Sequence, residues 1–150
     1  GEVVATHATQ RSSIGHSHVL APELRDPVSA LAVLYRLLHK AAMRLRHYGA
    51  CAGGLSLHLS YLGTDPRHAH WVDQAHFSPH ADTLRFNPVL AELWQRRPPD
   101  PTPLLKVGVT LFNLADSAIL LGVAMVLDRL KEQFTGRVKQ ILENWSESVL

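Results

Sequence analysis

Leu55, Leu57, Leu59 and Tyr61 alternate with Ser56, His58 and Ser60. A period of two belongs to a β-strand with one side in a core and the other in water. A second stretch repeats the rule. Leu105, Val107, Val109 and Leu111 share one side, and Lys106, Gly108 and Thr110 share the other. A chain organised around such strands must bury one face of a sheet and leave the opposite face polar. These patterns predict strands over about residues 54–62 and 104–112.

The intervening segments supply the rest of a small domain. Residues 11–20 form a first strand. Asp26 followed by Pro27 reads as a helix cap with proline at the first helical position. Leu31, Leu34, Tyr35, Leu38, Ala42 and Leu45 then recur at helical spacing, and Gly49 is a natural stop. Gly63, Thr64, Asp65 and Pro66 are turn residues, so a third strand over residues 70–78 pairs with the second as a hairpin. A second helix is expected from Asn87-Pro88 to just before Pro98, with Val89, Leu90, Leu93 and Trp94 as its apolar stripe. Residues 98–103 read as a stiff linker. A final helical pattern begins near Ser117 and runs to about Phe134. Gly136 is expected to interrupt it before a last stretch reaching Trp145.

The predicted class is α+β, in the order β-α-β-β-α-β. This gives a four-stranded antiparallel or mixed sheet with two helices on one face, plus a C-terminal helical extension. The expected organisation is a lead-in over residues 1–10, a domain over 11–114 and a helical tail over 115–150. The open sheet face, with Ser56, His58, Lys106 and Thr110, is where a partner would lie.

Composition narrows the function classes. The 150 residues are 46% apolar and 19% charged, a globular balance for one domain. A formal net charge of +2 does not by itself announce a nucleic-acid binder. Ten histidines add positive charge as pH falls below about 6.5. The single Cys51 excludes an internal disulfide framework and a CxxC metal site, and fits a reducing compartment. No secretory signal is visible. The most apolar run, residues 118–127, is about half a membrane span, so the chain reads as soluble, with no membrane partner.

Histidine pairs raise the question of metal. His16 and His18 sit two apart on a strand, and His68, His70 and His76 are further candidates, as is the span from His76 to His80. A site needs three or four ligands and a supporting shell. Solvated strand histidines are the simpler reading, and no metal or other cofactor is expected. Nothing around Cys51 suggests an activated thiolate. Asp65, Asp73 and Asp82 fall in or near turns and at a helix cap, the ordinary places for aspartate.

Several pieces in order carry a family resemblance. Ser13-Ile14-Gly15-His16 leads through a loop into an amphipathic helix that ends in Arg44-Leu45-Arg46. His76-Phe77-Ser78-Pro79 precedes the second helix, and Lys106-Val107-Gly108-Val109 lies in the last strand. Leu127-Asp128-Arg129-Leu130 runs on toward Gly136. Over about residues 11–136 the chain resembles the little finger domain of bacterial Y-family translesion DNA polymerases.

The resemblance implies a noncatalytic module of a larger DNA-directed DNA polymerase, acting in damage tolerance in the cytoplasm on the nucleoid. Its open sheet face would grip duplex or primer-template DNA through phosphates, which positions without reading sequence. Ser13, Gly15, His16, Ser56, His58, Lys106, Gly108 and Thr110 are the implied contacts. The rest of the polymerase, a sliding clamp or other mutagenesis proteins are the implied protein partners. Strand cations are fewer than in the family, with Lys106 the unambiguous one; Arg44, Arg46 and Arg67 are basic, but a solvated helix face or loop explains them equally well. That shortage motivates an alternative: a protein-interaction module of a catalytically inactive, polymerase-like accessory factor in a mutagenesis complex.

Overall fold

The computed structural model describes residues 13–63, 69–99 and 102–149. Expectations for residues 1–12, for the turn at 64–68 (including Arg67 and His68) and for 100–101 lie outside them. Two compact units divide between Asp116 and Ser117.

The first unit follows the expected order. β1 (Ser13–Val19), α1 (Pro27–His47), β2 (Ala50–Tyr61), β3 (His70–His80), α2 (Thr83–Gln95) and β4 (Leu104–Asp116) succeed one another, with a short 3-10 turn at Pro22–Leu24. The sheet order is β1-β4-β2-β3, and every neighbouring pair is antiparallel. The two long alternating strands, β2 and β4, therefore occupy the centre.

The alternation decides which residues reach the core. Leu55, Leu57 and Leu59 of β2 are buried together with Val107, Val109 and Leu111 of β4 and Ile14 of β1. They pack in one cluster with Leu34, Leu38 and Leu45 of α1 and Phe86, Leu90 and Leu93 of α2. Both helices thus cover the same sheet face.

Local chemistry sets the helix ends. Asp26 accepts a 2.9 Å hydrogen bond from the Ser29 amide, and Pro27 occupies the first turn. Gly49, at φ 68°, takes the left-handed conformation that ends α1 at little steric cost. α2 begins earlier than Asn87-Pro88. Asp82 caps it by accepting from the Leu84 amide at 2.9 Å, which places Pro88 inside the helix. The earlier turn carries Phe86 into the core, fully buried.

Two irregularities shape the far end of the sheet. Pairing of β2 with β3 jumps from Ala52↔His80 to Gly54↔His76, so β3 uses four residues where β2 uses two. This is a bulge, and it accommodates Pro79, which has no amide to donate. β4 runs past Phe112 through Asn113, a left-handed residue at φ 53°. Asparagine tolerates that region. Beyond it Leu114, paired with Ala52, packs against the core.

The second unit is one continuous helix, α3 (Ser117–Val149), of 33 residues. Gly136 does not interrupt it. An interior glycine costs only about 1 kcal/mol relative to alanine, too little to break a long helix. No helix among the described residues is long and apolar enough to cross a membrane.

Phe86 links the second helix to the sheet. Phe86→Ala is expected to cost about 3–5 kcal/mol, the usual range for emptying a buried aromatic site. A urea unfolding curve with a lowered midpoint and an unchanged slope checks this.

Candidate nucleic-acid interface

The face of the sheet away from the helices is a grid fixed by strand pairing. Across β1, β4, β2 and β3, one row reads Val19, Lys106, Ser60, His70. The next reads Ser17, Gly108, His58, Val72. The third reads Gly15, Thr110, Ser56, Gln74, and the fourth Ser13, Phe112, Gly54, His76. Seven of the eight residues expected from the sequence lie on this grid: Ser13, Gly15, Ser56, His58, Lys106, Gly108 and Thr110.

His16 lies elsewhere. Strand alternation puts it on the helix side with Ile14, where its Nε2 lies 3.2 Å from Nη1 of Arg44 in α1. A period of two forces this separation, because Gly15 and His16 cannot share a face. Sequence reasoning also passed over Ser17, Ser60, His70 and Gln74 as contacts. The alternation of β2 and the hairpin register were the available signal for the last three.

The grid contains hydroxyls, histidines and glycines, one lysine and no carboxylate. Asp73, one residue out of phase, sits on the helix side and meets Arg96, the C-terminal cap of α2, at 3.6 Å. Its neighbour Gln74 faces the open side.

The histidines of the grid are tied to polar neighbours. His58 Nε2 lies 3.1 Å from Ser56 Oγ and 3.3 Å from Thr110 Oγ1. His70 Nδ1 is 3.0 Å from Ser60 Oγ. His76 Nε2 lies 3.4 Å from the Gln74 amide nitrogen, and its ring meets Phe112 edge-on at 5.3 Å between centroids. Burial holds the His58 imidazole below the ordinary histidine range, which favours the neutral ring. In that state it accepts from a hydroxyl and adds no charge.

Glycine gives the face its relief. A Cβ at Gly15 would lie 2.9 Å from Thr110 Oγ1, and one at Gly54 would strike the Phe112 ring. With Gly15 and Gly108 bare, a depression of about 390 Å³ opens among Ser17, His58, Ser60, His70, Lys106 and Thr110. A ligand atom can there approach the backbone closely while hydroxyls and Lys106 surround it. Among the described residues, no group of three or more His, Cys, Asp or Glu is placed to hold a metal.

Three histidines, His16, His58 and His80, are held below the ordinary range, each mainly by burial. At His16 the charges of Arg44 and Lys40 add to the effect. At His80 Arg85 adds to it and Asp82 opposes it. The unfolded chain therefore takes up protons at these positions at a higher pH than the native domain. Stability should be full above about pH 7 and fall as pH drops through the unfolded value near 6.5. The loss levels off below the native values. Urea midpoints at successive pH values are expected to show this fall, and His58→Gln should make it shallower.

Comparison with known proteins matches this geometry to a family. Residues 11–120 match the impB/mucB/samB family C-terminal domain. No curated protein matches the chain in sequence. Among solved structures, a Dbh DNA polymerase in an insertion ternary complex superposes with a TM-score of 0.51 at 17% identity. The likeness covers 69% of this chain and 29% of that one. The little finger domain of PolIV, in complex with the beta-clamp processivity factor, superposes with a TM-score of 0.51 at 14% identity, covering 67% of this chain and 86% of that one. The chain thus spans less than a third of the Dbh polymerase and most of the PolIV little finger domain. With the family match extending over all four strands and both helices of the sheet unit, the chain belongs to the impB/mucB/samB family C-terminal domain, the little finger of Y-family DNA polymerases.

Proposed function

We propose that the open sheet face grips double-stranded DNA, as the duplex-holding module of a translesion polymerase acting on the nucleoid. The carrying observation is a sheet face without a carboxylate, with Lys106 and five hydroxyl residues among its positions. Hydroxyls and a lysine satisfy phosphate oxygens through hydrogen bonds and charge, with no pattern that selects bases. Ser13, Gly15, Ser56, His58, Gly108 and Thr110 frame the contact, and Ser17 and Ser60 extend it. That the neighbouring Dbh structure is an insertion ternary complex of a polymerase supports this reading. One fixed cation makes the grip weak and its salt dependence shallow.

Fluorescence anisotropy with a labelled primer-template tests it. Binding should be weak, indifferent to sequence and weakened by salt. Lys106→Glu should lower the slope of log K against log salt by about 0.9, the share of one phosphate contact. No binding at low salt and high protein concentration, or strong preference for one sequence, would sink the proposal.

A second reading is contact with a processivity clamp. It is supported by the clamp complex of the PolIV little finger. A clamp contact of this chain should survive Lys106→Glu. Pull-down of a purified clamp by the Lys106→Glu chain checks this, and loss of both bindings together would count against a separate clamp surface.

A further inference from the structure

The flank of β1 carries a second positive feature that faces away from the grid. β1 is an edge strand, and His16 emerges from it on the helix side. Arg44 of α1 directs Nη1 at the His16 ring from 3.2 Å. A guanidinium only donates, so this ring nitrogen carries no proton and accepts. Lys40 lies one helical turn before Arg44, close enough that its charge, like that of Arg44, disfavours the protonated ring. No carboxylate faces the ring from β1, β4 or α1. The two groups acting on it besides burial are both cations.

Four other arginines of the unit are satisfied differently. Arg96 pairs with Glu92 and Asp73. Arg46 donates to the Ala81 carbonyl and the Thr83 hydroxyl. Arg25 donates to Leu20 O, and Arg97 to Trp94 O. Among the described residues, neither Lys40 nor Arg44 is ion-paired with a carboxylate. Arg44 on the His16 ring, with Lys40 one helical turn away on the same helix and no carboxylate paired to either among the described residues, is an arrangement that a tetrahedral oxyanion completes. Arginine's fork matches two of its oxygens, and lysine adds a point charge.

We propose that His16, Lys40 and Arg44 form a phosphate-binding site that receives one backbone phosphate of a DNA duplex where it crosses the edge of β1. The site rests on the reading of the open face as a DNA grip. β1 is a single strand, so the open-face residues Gly15 and Ser17 flank His16 directly in the chain. Strands are spaced about 4.8 Å apart, and a duplex presents one phosphate charge per about 1.7 Å of its axis. A duplex reaching past this edge brings closely spaced phosphates toward the flank. The flank adds two fixed cations to a face that supplies one. A bound phosphate also offsets the field of Arg44 and Lys40 at His16, so the ring should take up a proton more readily in the complex.

The test combines two measurements on the full chain. Anisotropy with a labelled duplex gives the salt slope for the parent, Lys40→Gln, Arg44→Gln and Lys106→Glu. Lys40→Gln is expected to lower the slope without changing the urea midpoint. It alters an exposed side chain, so it remains informative if Arg44→Gln unfolds. The double change Lys40→Gln with Lys106→Glu should lower the slope by more than either change alone. A pH titration of the His16 ring by NMR should show its midpoint rising when duplex is added. An unaltered slope in Lys40→Gln beside a lowered slope in Lys106→Glu overturns this site and leaves the grip standing. Absence of duplex binding by the parent chain overturns both. A rise in the His16 midpoint with inorganic phosphate or an acidic peptide, but not with duplex, overturns the assignment to DNA.

Discussion

The in-register pairing of β2 with β4 is the constraint on which the rest depends. Leu55 faces Leu111, Leu57 faces Val109 and Leu59 faces Val107. These six side chains are all buried, and the two helices close over them. Burying each large aliphatic is worth roughly 1.5–3 kcal/mol. A slip of one residue would trade that set for Ser56, His58, Ser60, Lys106 and Thr110. The hydrophobic side thus locks the register, and the register lays out the polar side. Lys106 stands beside Ser60, Gly108 beside His58 and Thr110 beside Ser56 because the leucines between them have no other place to go.

This explains what was legible in the sequence. Alternation on β2 and β4 announced an open face, and their polar members are its central residues. Asp26-Pro27 and Gly49 bounded the first helix, because caps are local chemistry. The reading was weaker wherever a long-range contact overrode a local signal. Asn87-Pro88 resembles a helix start, yet Asp82 caps the helix five residues before Asn87, and the burial of Phe86 rewards the extra turn. β4 was expected to end at Phe112. A left-handed Asn113 instead lets the strand continue and brings Leu114 to the core. Gly136 was given more breaking power than one glycine has.

His16 shows the limit of reading by motif. Ser-Ile-Gly-His is contiguous in the chain, but a strand separates its members into two faces. Ser13 and Gly15 join the grid, and Ile14 and His16 turn toward α1. The family match alone placed His16 with the DNA face; period two would have excluded it. Other histidine rings are likewise placed by strand phase and neighbours. His16 is beside an arginine, His58 between two hydroxyls, and His80 stacks on Phe86 at 4.5 Å between centroids.

Charge is sorted by the same alternation that sorts hydrophobicity. Asp73 and Gln74 are consecutive on β3. The acid goes to the helix side, where Arg96 meets it, and the amide goes to the open side. Without that phase the grid would carry an aspartate beside Ser56, and repulsion would oppose any phosphate brought near. A polyanion can be held by a face with one fixed cation only if nothing on that face opposes it. The absence of an acid from the grid is then as important to the proposed weak, sequence-neutral grip as Lys106 itself. Around the depression, glycine and hydroxyl positions stand beside Lys106 and His58. Further fixed charge stands at the margin, where α1 packs against β1 and Arg44 reaches His16.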